Sequence, residues 1–413
     1  MTDAADAALR DQYEAFPYPA RDPREEGKRL IIGSPSHLAE VDHWVFGARR
    51  PRSTPFRALM AGGGSGDGTI MLATQLSRAG RPGQVTWLDR SEAARKVAMA
   101  RAELRGLTNV VFETGSLLDL PSLGLDPFDY IDCCGVLHHL PDPSAGLKAL
   151  AGALTPGGGI GLMVYAPHGR TGVYMLQDAL RTLAPASEAP ATRVEIAKRL
   201  WKQAPDTAWL RKNPWITDHT EGGDAGLYDL LLNPRDVAFT VPALVGLIEA
   251  AGLRLRTLVE PIRYDPALYL PDPKLRARLA ELGPVERAAV AEAVCGNMGI
   301  HIAYCTRAED TPALPDWADA GAIPTLRELE GAAIAKGIRA DGTLPVAFDG
   351  LRVALPMPRL AGAILQRIDG KASIGEIADA LAANGIARDA FARDFAALVA
   401  QLEGLNRLLI AAP

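Results

Sequence analysis

At 413 residues the chain is too long for one ordinary core, so roughly two or three domains are expected. With 48% apolar and 23% charged residues, a formal charge of −5 and no basic stripe, its composition is that of a soluble globular protein, and no DNA partner is expected. The four cysteines, at 133, 134, 295 and 305, suit neither a disulfide framework nor a metal site, and Cys133 and Cys134 sit in an apolar run as packed thiols. No apolar stretch reaches the about 18 residues of a membrane span and no signal-peptide pattern opens the chain, so a reduced, cytoplasmic protein off the membrane is expected.

Residues 1–50 form a polar and aromatic arm, in which "YEAFPYPARDP" favours extended structure over helix. From 56 to 165 strand and helix patterns alternate. "FRALMA" predicts a strand, "GDGTIMLATQLSRAG" a helix ending at Gly80, and "QVTWLD" a second strand. "SEAARKVAMARAELRG" predicts a helix capped by Ser91 and ended by Gly106. "NVVFET" and "FDYIDCCGV" are strands, "DPSAGLKALAGALTPGG" a helix stopped by Pro156-Gly157, and "IGLMVYA" a further strand. Such alternation predicts an α/β, doubly wound parallel sheet. A helical, Trp-rich insert at 168–240 interrupts it. The pattern resumes with helix "VPALVGLIEAAG", strand "LRLRTLVEP", a second insert at 265–295 and strand "GIHIAYCTR". The sheet domain thus runs over 51–307. A linker at 308–325, holding Pro312, Pro315 and Pro324, leads to a small unit at 326–413.

"ALMAGGGSGDGTI", 58–70, puts glycines at 62, 64, 66 and 68, where the first strand turns into the first helix. Glycine at this density serves φ > 0 or backbone pressed against a ligand, and the carboxyl end of the first strand is where an open α/β sheet binds one. A dinucleotide fingerprint needs glycines at i, i+2 and i+5. No register supplies them, because Gly62 and Gly64 are followed by Asp67, and Gly64 and Gly66 by Thr69. A phosphate loop would need a Lys, and none is present. Asp89, ending "VTWLD", can accept both hydroxyls of a ribose; its plain alternative is to precede the Ser91 cap.

The Gly-x-Gly-x-Gly turn, Asp89 and "FDYIDCCGVLHHLPDPSAGLKALAGALTPGGGIGLMVY" (128–165) together resemble class I S-adenosylmethionine-dependent methyltransferases over about 110 residues. "FPYPARDP", "MAGGGSG" and "YDLLLNPRDVAFTVPAL" are similar to bacterial members with an N-terminal Pro-Tyr-Pro signature. The resemblance implies a seven-stranded Rossmann-like sheet and S-adenosyl-L-methionine as cofactor. It implies that Gly62, Gly63, Gly64, Gly66, Asp67, Asp89, Arg90, Ser116, Leu117 and Gly135 line the cofactor. Two positions depart from the pattern. Met60 stands where many relatives carry an acid, so the methionine ammonium needs backbone carbonyls or another acid such as Asp67, and Ser116 stands where an adenine-binding Asp is frequent.

The sulfonium's leaving group is neutral, so positioning and a dry pocket can carry much of the rate. A base is needed only for an acceptor protonated at working pH. His138 and His139 follow the fourth strand, Tyr165 and His168 the fifth, and the insert adds Asp218, His219 and Asp229. The arm brings Tyr13, Phe16 and Tyr18, whose faces suit a cation or a substrate ring. His138, His139, Tyr18 and Tyr13 are the expected catalytic set, each with simple packing as its plain alternative. The expected acceptor is a nitrogen or oxygen on a protein or peptide side chain, because the C-terminal unit is large for a small-metabolite enzyme; a small molecule is the alternative. Met60 and Ser116 keep a non-catalytic, cofactor-binding sensor or scaffold open. The glycine spacing disfavours a nicotinamide-dependent reductase. The unit at 326–413 resembles winged-helix and small peptide-chaperone domains in generic features only, and packing or homodimerisation is its plain reading.

Overall fold

A computed structural model describes residues 12–310 and 313–413, so the beginning of the aromatic arm and Pro312 lie outside the described residues. β1 (Phe56–Ala61) is almost wholly buried in the interior of a seven-stranded sheet, as a strand covered on both faces must be. β2 (Gly83–Asp89) and β3 (Val110–Thr114) flank it on one side, and β4 (Phe128–Cys134) and β5 (Leu154–Tyr165) on the other, all parallel. β6 (Leu253–Leu258) forms the far edge, and β7 (Ile300–Arg307) lies antiparallel between β5 and β6, giving the order β3-β2-β1-β4-β5-β7-β6. The reversed β7 is the one departure from an all-parallel sheet; the chain returns from the carboxyl end of β6, where Val259 N donates to Ile302 O at 2.8 Å.

α1 (Asp67–Arg78) leaves the glycine turn, α2 (Glu92–Leu104) is capped by Ser91 Oγ, and α3 (Pro143–Gly152) by Asp142. α3 ends at Gly152, and Pro156-Gly157 already belongs to β5 rather than stopping a helix. The glycines that follow serve close approach: a Cβ on Gly158 would come within 2.9 Å of Asp129 O on β4, and one on Gly159 within 2.5 Å of Val45 Cγ1 and 2.9 Å of Cys305 O on β7. The first insert packs α4 (Val173–Leu183), α5 (Pro190–Gln203) and α6 (Gly223–Leu231) around its own core of Val173, Leu180, Val194 and Leu227. α7 (Val241–Ala250) covers the sheet, and the second insert contributes α8 (Pro273–Ala280) and α9 (Pro284–Cys295). No helix among the described residues is long and apolar enough to cross a membrane.

The arm is less extended than its composition suggests. Residues 12–15 make a helical turn, with Phe16 N donating to Gln12 O at 2.7 Å, because proline restricts the chain only from residue 16 onward. In the C-terminal unit β8 (Pro324–Leu326) pairs antiparallel with β11 (Leu408–Ile410). Between them lie α10 (Gly331–Gly337), the hairpin β9 (Thr343–Phe348) and β10 (Leu351–Pro356), α11 (Ala361–Leu365), α12 (Ile374–Ala382) and α13 (Arg388–Gly404), around a separate core that includes Leu355, Ile364, Leu381 and Leu398.

This unit is joined to the sheet domain through residues 34–46. Trp44 Nε1 donates to Asn406 Oδ1 at 2.9 Å, and Ile410 N to His43 Nδ1 at 2.9 Å. The fully buried Glu40 accepts from Arg327 of the C-terminal unit, from Ser34 Oγ at 2.7 Å and from the Tyr304 hydroxyl at 2.8 Å. Ser36 N in turn donates to that hydroxyl at 3.3 Å, and Ser36 Oγ donates to Asp132 on β4.

Candidate active site

A cavity of about 510 Å³ opens at the carboxyl ends of the parallel strands, a size suited to one nucleoside-sized ligand. Its lining crosses the sheet in order: Ser116 and Leu117 after β3, Asp89 at the end of β2, the glycine turn after β1, Asp132 and Cys134 on β4, and Tyr165 on β5. Gly62, Gly64 and Gly66 have φ of 82°, 48° and 97°, the left-handed region that glycine enters freely. Gly63 is excluded from carrying a side chain by packing, since its Cβ would lie 2.2 Å from Trp87 Cδ1.

Asp89 is both a loop anchor and a cavity group. Its Oδ2 accepts from Gly64 N at 2.8 Å and its Oδ1 from Ser91 N at 3.0 Å, and the Arg90 backbone N–H also donates to the carboxylate, which still lines the cavity. Ser116 Oγ accepts from Leu118 N at 3.2 Å, and its hydroxyl proton stays available to the cavity. Arg90 and Gly135 line the cavity, Gly135 with φ of 77°. Asp67 is differently placed from a free cation receptor. Arg21 binds it in bidentate fashion at 2.6–3.1 Å, and Arg101 Nη1 reaches it at 2.7 Å. Burial would raise its pKa, but the two guanidiniums hold it below the usual carboxylate range.

The β5 end is aromatic and acidic. Tyr13 donates to Asp229 Oδ1 and Tyr165 to Asp229 Oδ2, each at 3.0 Å, and Tyr18 to Asp218 Oδ1 at 3.4 Å. Burial, then the neighbouring carboxylates, push all three phenols above their ordinary pKa, so they remain proton donors. The Tyr165 ring lies between the His138 imidazole, at 4.0 Å, and the Arg170 guanidinium, at 3.6 Å, which is itself paired with Asp236 at 2.9 Å.

The two histidines part company here. His139 lines the cavity and its Nδ1–H donates to Arg235 O at 2.6 Å, which leaves Nε2 as the lone-pair nitrogen of the uncharged ring. His138 does not line the cavity. It is 0% exposed, neither ring nitrogen has a partner, and burial, with His139 and Arg170 nearby, drives its pKa well below the ordinary value. It supports the back of Tyr165. Cys133 is buried as expected of a packed thiol, whereas Cys134 faces the cavity. Sequence reasoning did not single out Asp132 or Arg21 as site residues. The acid within the apolar "FDYIDCC" was a signal for the first; Arg21 carried none that separates it from a solvated arginine.

An open sheet with a left-handed glycine turn after its first strand and an acid closing its second defines a Rossmann-like nucleoside site of the class I methyltransferase kind. A family profile described as a methyltransferase domain matches residues 59–160. The Synechococcus "uncharacterized protein syc1184_c" is 30% identical over 298 residues, covering 71% of this chain and 69% of that one. A ubiquinone biosynthesis O-methyltransferase of Idiomarina loihiensis is 36% identical over 90 residues, but the chain spans only 33% of its length. In fold, the chain is similar to PKMT2 from Rickettsia typhi, solved in complex with AdoHcy, with a TM-score of 0.62 at 13% identity over 92% of this chain and 77% of that one. The chain belongs to the class I S-adenosylmethionine-dependent methyltransferases, in one family with the Synechococcus protein, and S-adenosylmethionine is its cofactor.

Proposed function

We propose that the enzyme methylates a nitrogen, the amine of a protein or peptide side chain. The observation that carries this reading is the Tyr13–Asp229–Tyr165 cluster with Tyr18–Asp218 beside it. Aromatic faces and carboxylates attract a cation, and an amine arrives as one at neutral pH. S-adenosylmethionine, when bound, supplies a methyl group on a sulfonium that departs as a neutral thioether. The protein's own part is to position and deprotonate the acceptor. Tyr13 and Asn233 hold Asp229 Oδ1 and Tyr165 holds Oδ2, so that the free lone pair of Oδ2 is the one that accepts a proton from the ammonium, and His139 Nε2 is the second group able to take it. Within the class we place the chain beside bacterial members with a Pro-Tyr-Pro arm, a reading supported by Phe16-Pro17-Tyr18-Pro19.

On this reading Gly62, Gly63, Gly64 and Gly66 cradle the cofactor, Ser116 and Leu117 meet its adenine, and Asp89 accepts both ribose hydroxyls. Asp89→Ala leaves those hydroxyls without a charged acceptor, worth about 1.5–3 kcal/mol, so affinity for S-adenosylhomocysteine should fall about tenfold or more. Calorimetry on the folded variant checks this, and unchanged affinity would remove Asp89 from the site.

A hydroxyl of a small molecule is the second reading, favoured by the short stretch of likeness to the ubiquinone biosynthesis O-methyltransferase of Idiomarina loihiensis. Methyl-labelled cofactor, the purified enzyme and an extract of cells lacking it separate the two. Label in protein, recovered as methylated amine after hydrolysis, supports the first reading; label confined to the small-molecule fraction replaces it with the second.

A further inference from the structure

We propose that Asp132 is the carboxylate that receives the ammonium of the cofactor's amino-acid end. This rests on the cofactor assignment and is independent of the acceptor. Four aspartates line the cavity: Asp67, Asp89, Asp132 and Asp229. The other three have different places or partners. Asp67 is neutralised by Arg21 and Arg101, Asp89 ties the glycine turn at the nucleoside end, and Asp229 accepts hydrogen bonds from Tyr13, Tyr165 and Asn233 at the opposite end, the one assigned above to the acceptor. Asp132 is 7% exposed, and its oxygens accept only from Cys134 N, at 3.1 Å, and from Ser36 Oγ, both neutral donors. Among the described residues no lysine or arginine pairs with it. A buried carboxylate without a counter-cation, facing a cavity, is an unfilled cation position. Consistent with that, burial pushes its pKa up to about 6.

Its place along the cavity fits the same ligand. With Ser116 after β3 and Asp89 at the end of β2 occupied by the nucleoside, the amino-acid end extends over β1 and β4. There Met60 of β1 stands in register with Asp132 of β4. A Cβ added at Gly68 would lie 3.5 Å from Met60 Sδ and 3.8 Å from Asp132 Oδ2, so both side chains face the first turn of α1 at one depth. Met60 cannot accept an N–H from an ammonium; the carboxylate one strand across can.

The test compares two probes by calorimetry. S-adenosylhomocysteine and 5′-methylthioadenosine share the nucleoside and thioether, and only the first carries the ammonium. Asp132→Asn should weaken S-adenosylhomocysteine about tenfold or more while methylthioadenosine changes by less than about twofold. Equal losses for both, or none for either, would overturn the assignment. Should the variant fail to fold, the unaltered enzyme decides. Protonating Asp132 should lower the S-adenosylhomocysteine to methylthioadenosine affinity ratio between about pH 7 and about pH 5, and a flat ratio overturns the proposal. Asp89 faces both probes and cancels in that ratio. Asp67 is held ionised by its arginines, while Tyr130, Cys133, Cys134 and Tyr304 are pushed up by burial; Glu40 stands behind Ser36, tied to Arg327. Failure of the unaltered enzyme to bind either probe would instead count against the cofactor assignment.

Discussion

Removal of residues 1–25 is expected to abolish methyl transfer, by about a hundredfold or more, while the sheet domain stays folded and binds S-adenosylhomocysteine more weakly. The arm touches the site at successive points. Tyr13 and Tyr18 meet Asp229 and Asp218, Arg21 meets Asp67, and the Glu14 carboxylate accepts from the first N–H groups of α2, at 2.7 Å from Glu92 N and 3.3 Å from Ala93 N. An acid at a helix N-terminus is favoured by the helix dipole, so Glu14 fixes the arm beside Asp89. Phe16 stacks on Tyr228 at 5.5 Å, and Pro17 and Pro19 lower the entropy lost in holding the tyrosines. None of these residues belongs to the cores beneath the sheet, which is why the fold should survive. Circular dichroism, calorimetry and turnover on the truncated chain separate the effects. Turnover at the parent rate would reduce the arm to packing and return the chemistry to His139 and the 168–240 insert.

Asp229→Asn is expected to lower kcat by about 10²–10⁴-fold with cofactor affinity nearly unchanged, the range for loss of a proton-accepting group. The side chain lies on α6, is 3% exposed, and accepts a phenol hydrogen bond on each oxygen. An amide of the same shape can accept only one of the two; its NH₂ then confronts the other hydroxyl, and the charge that draws a cationic acceptor is gone. Steady-state kinetics beside calorimetry check this. A kcat within a few-fold of the parent's would mean that Asp229 only positions the tyrosines.

What was legible in the chain is what is local. The glycine turn, Asp89 with its Ser91 cap and the strand–helix alternation lie within a few residues of one another, and periodicity and turn chemistry report them directly. The aromatic–acidic end is not local: Tyr13 and Asp229 are 216 residues apart, and only the packing of the insert onto β5 brings them together. Asp132 was marked only as an acid in an apolar run, and that mark names no role. An acid inside a buried strand gives no period of its own, and its significance depends on the neutral residue beside it on β1. The start of β5 was misplaced because Pro-Gly-Gly commonly ends a helix, whereas here the glycines serve strand contact. The β8–β11 pair, with Leu326 opposite Leu408, offers no local signal at all.

A continuous series of hydrogen bonds links Arg327 of the C-terminal unit through Glu40, Tyr304 and Ser36 to Asp132 in the pocket wall. If that docked arrangement is the one in which Asp132 is correctly aimed, free-energy linkage requires the converse: occupancy of the pocket tightens the hold of residues 326–413 on the sheet domain by the same factor that their docking tightens occupancy. A partner that gripped the C-terminal unit would thereby tune saturation of the enzyme from a distance, without entering the cavity.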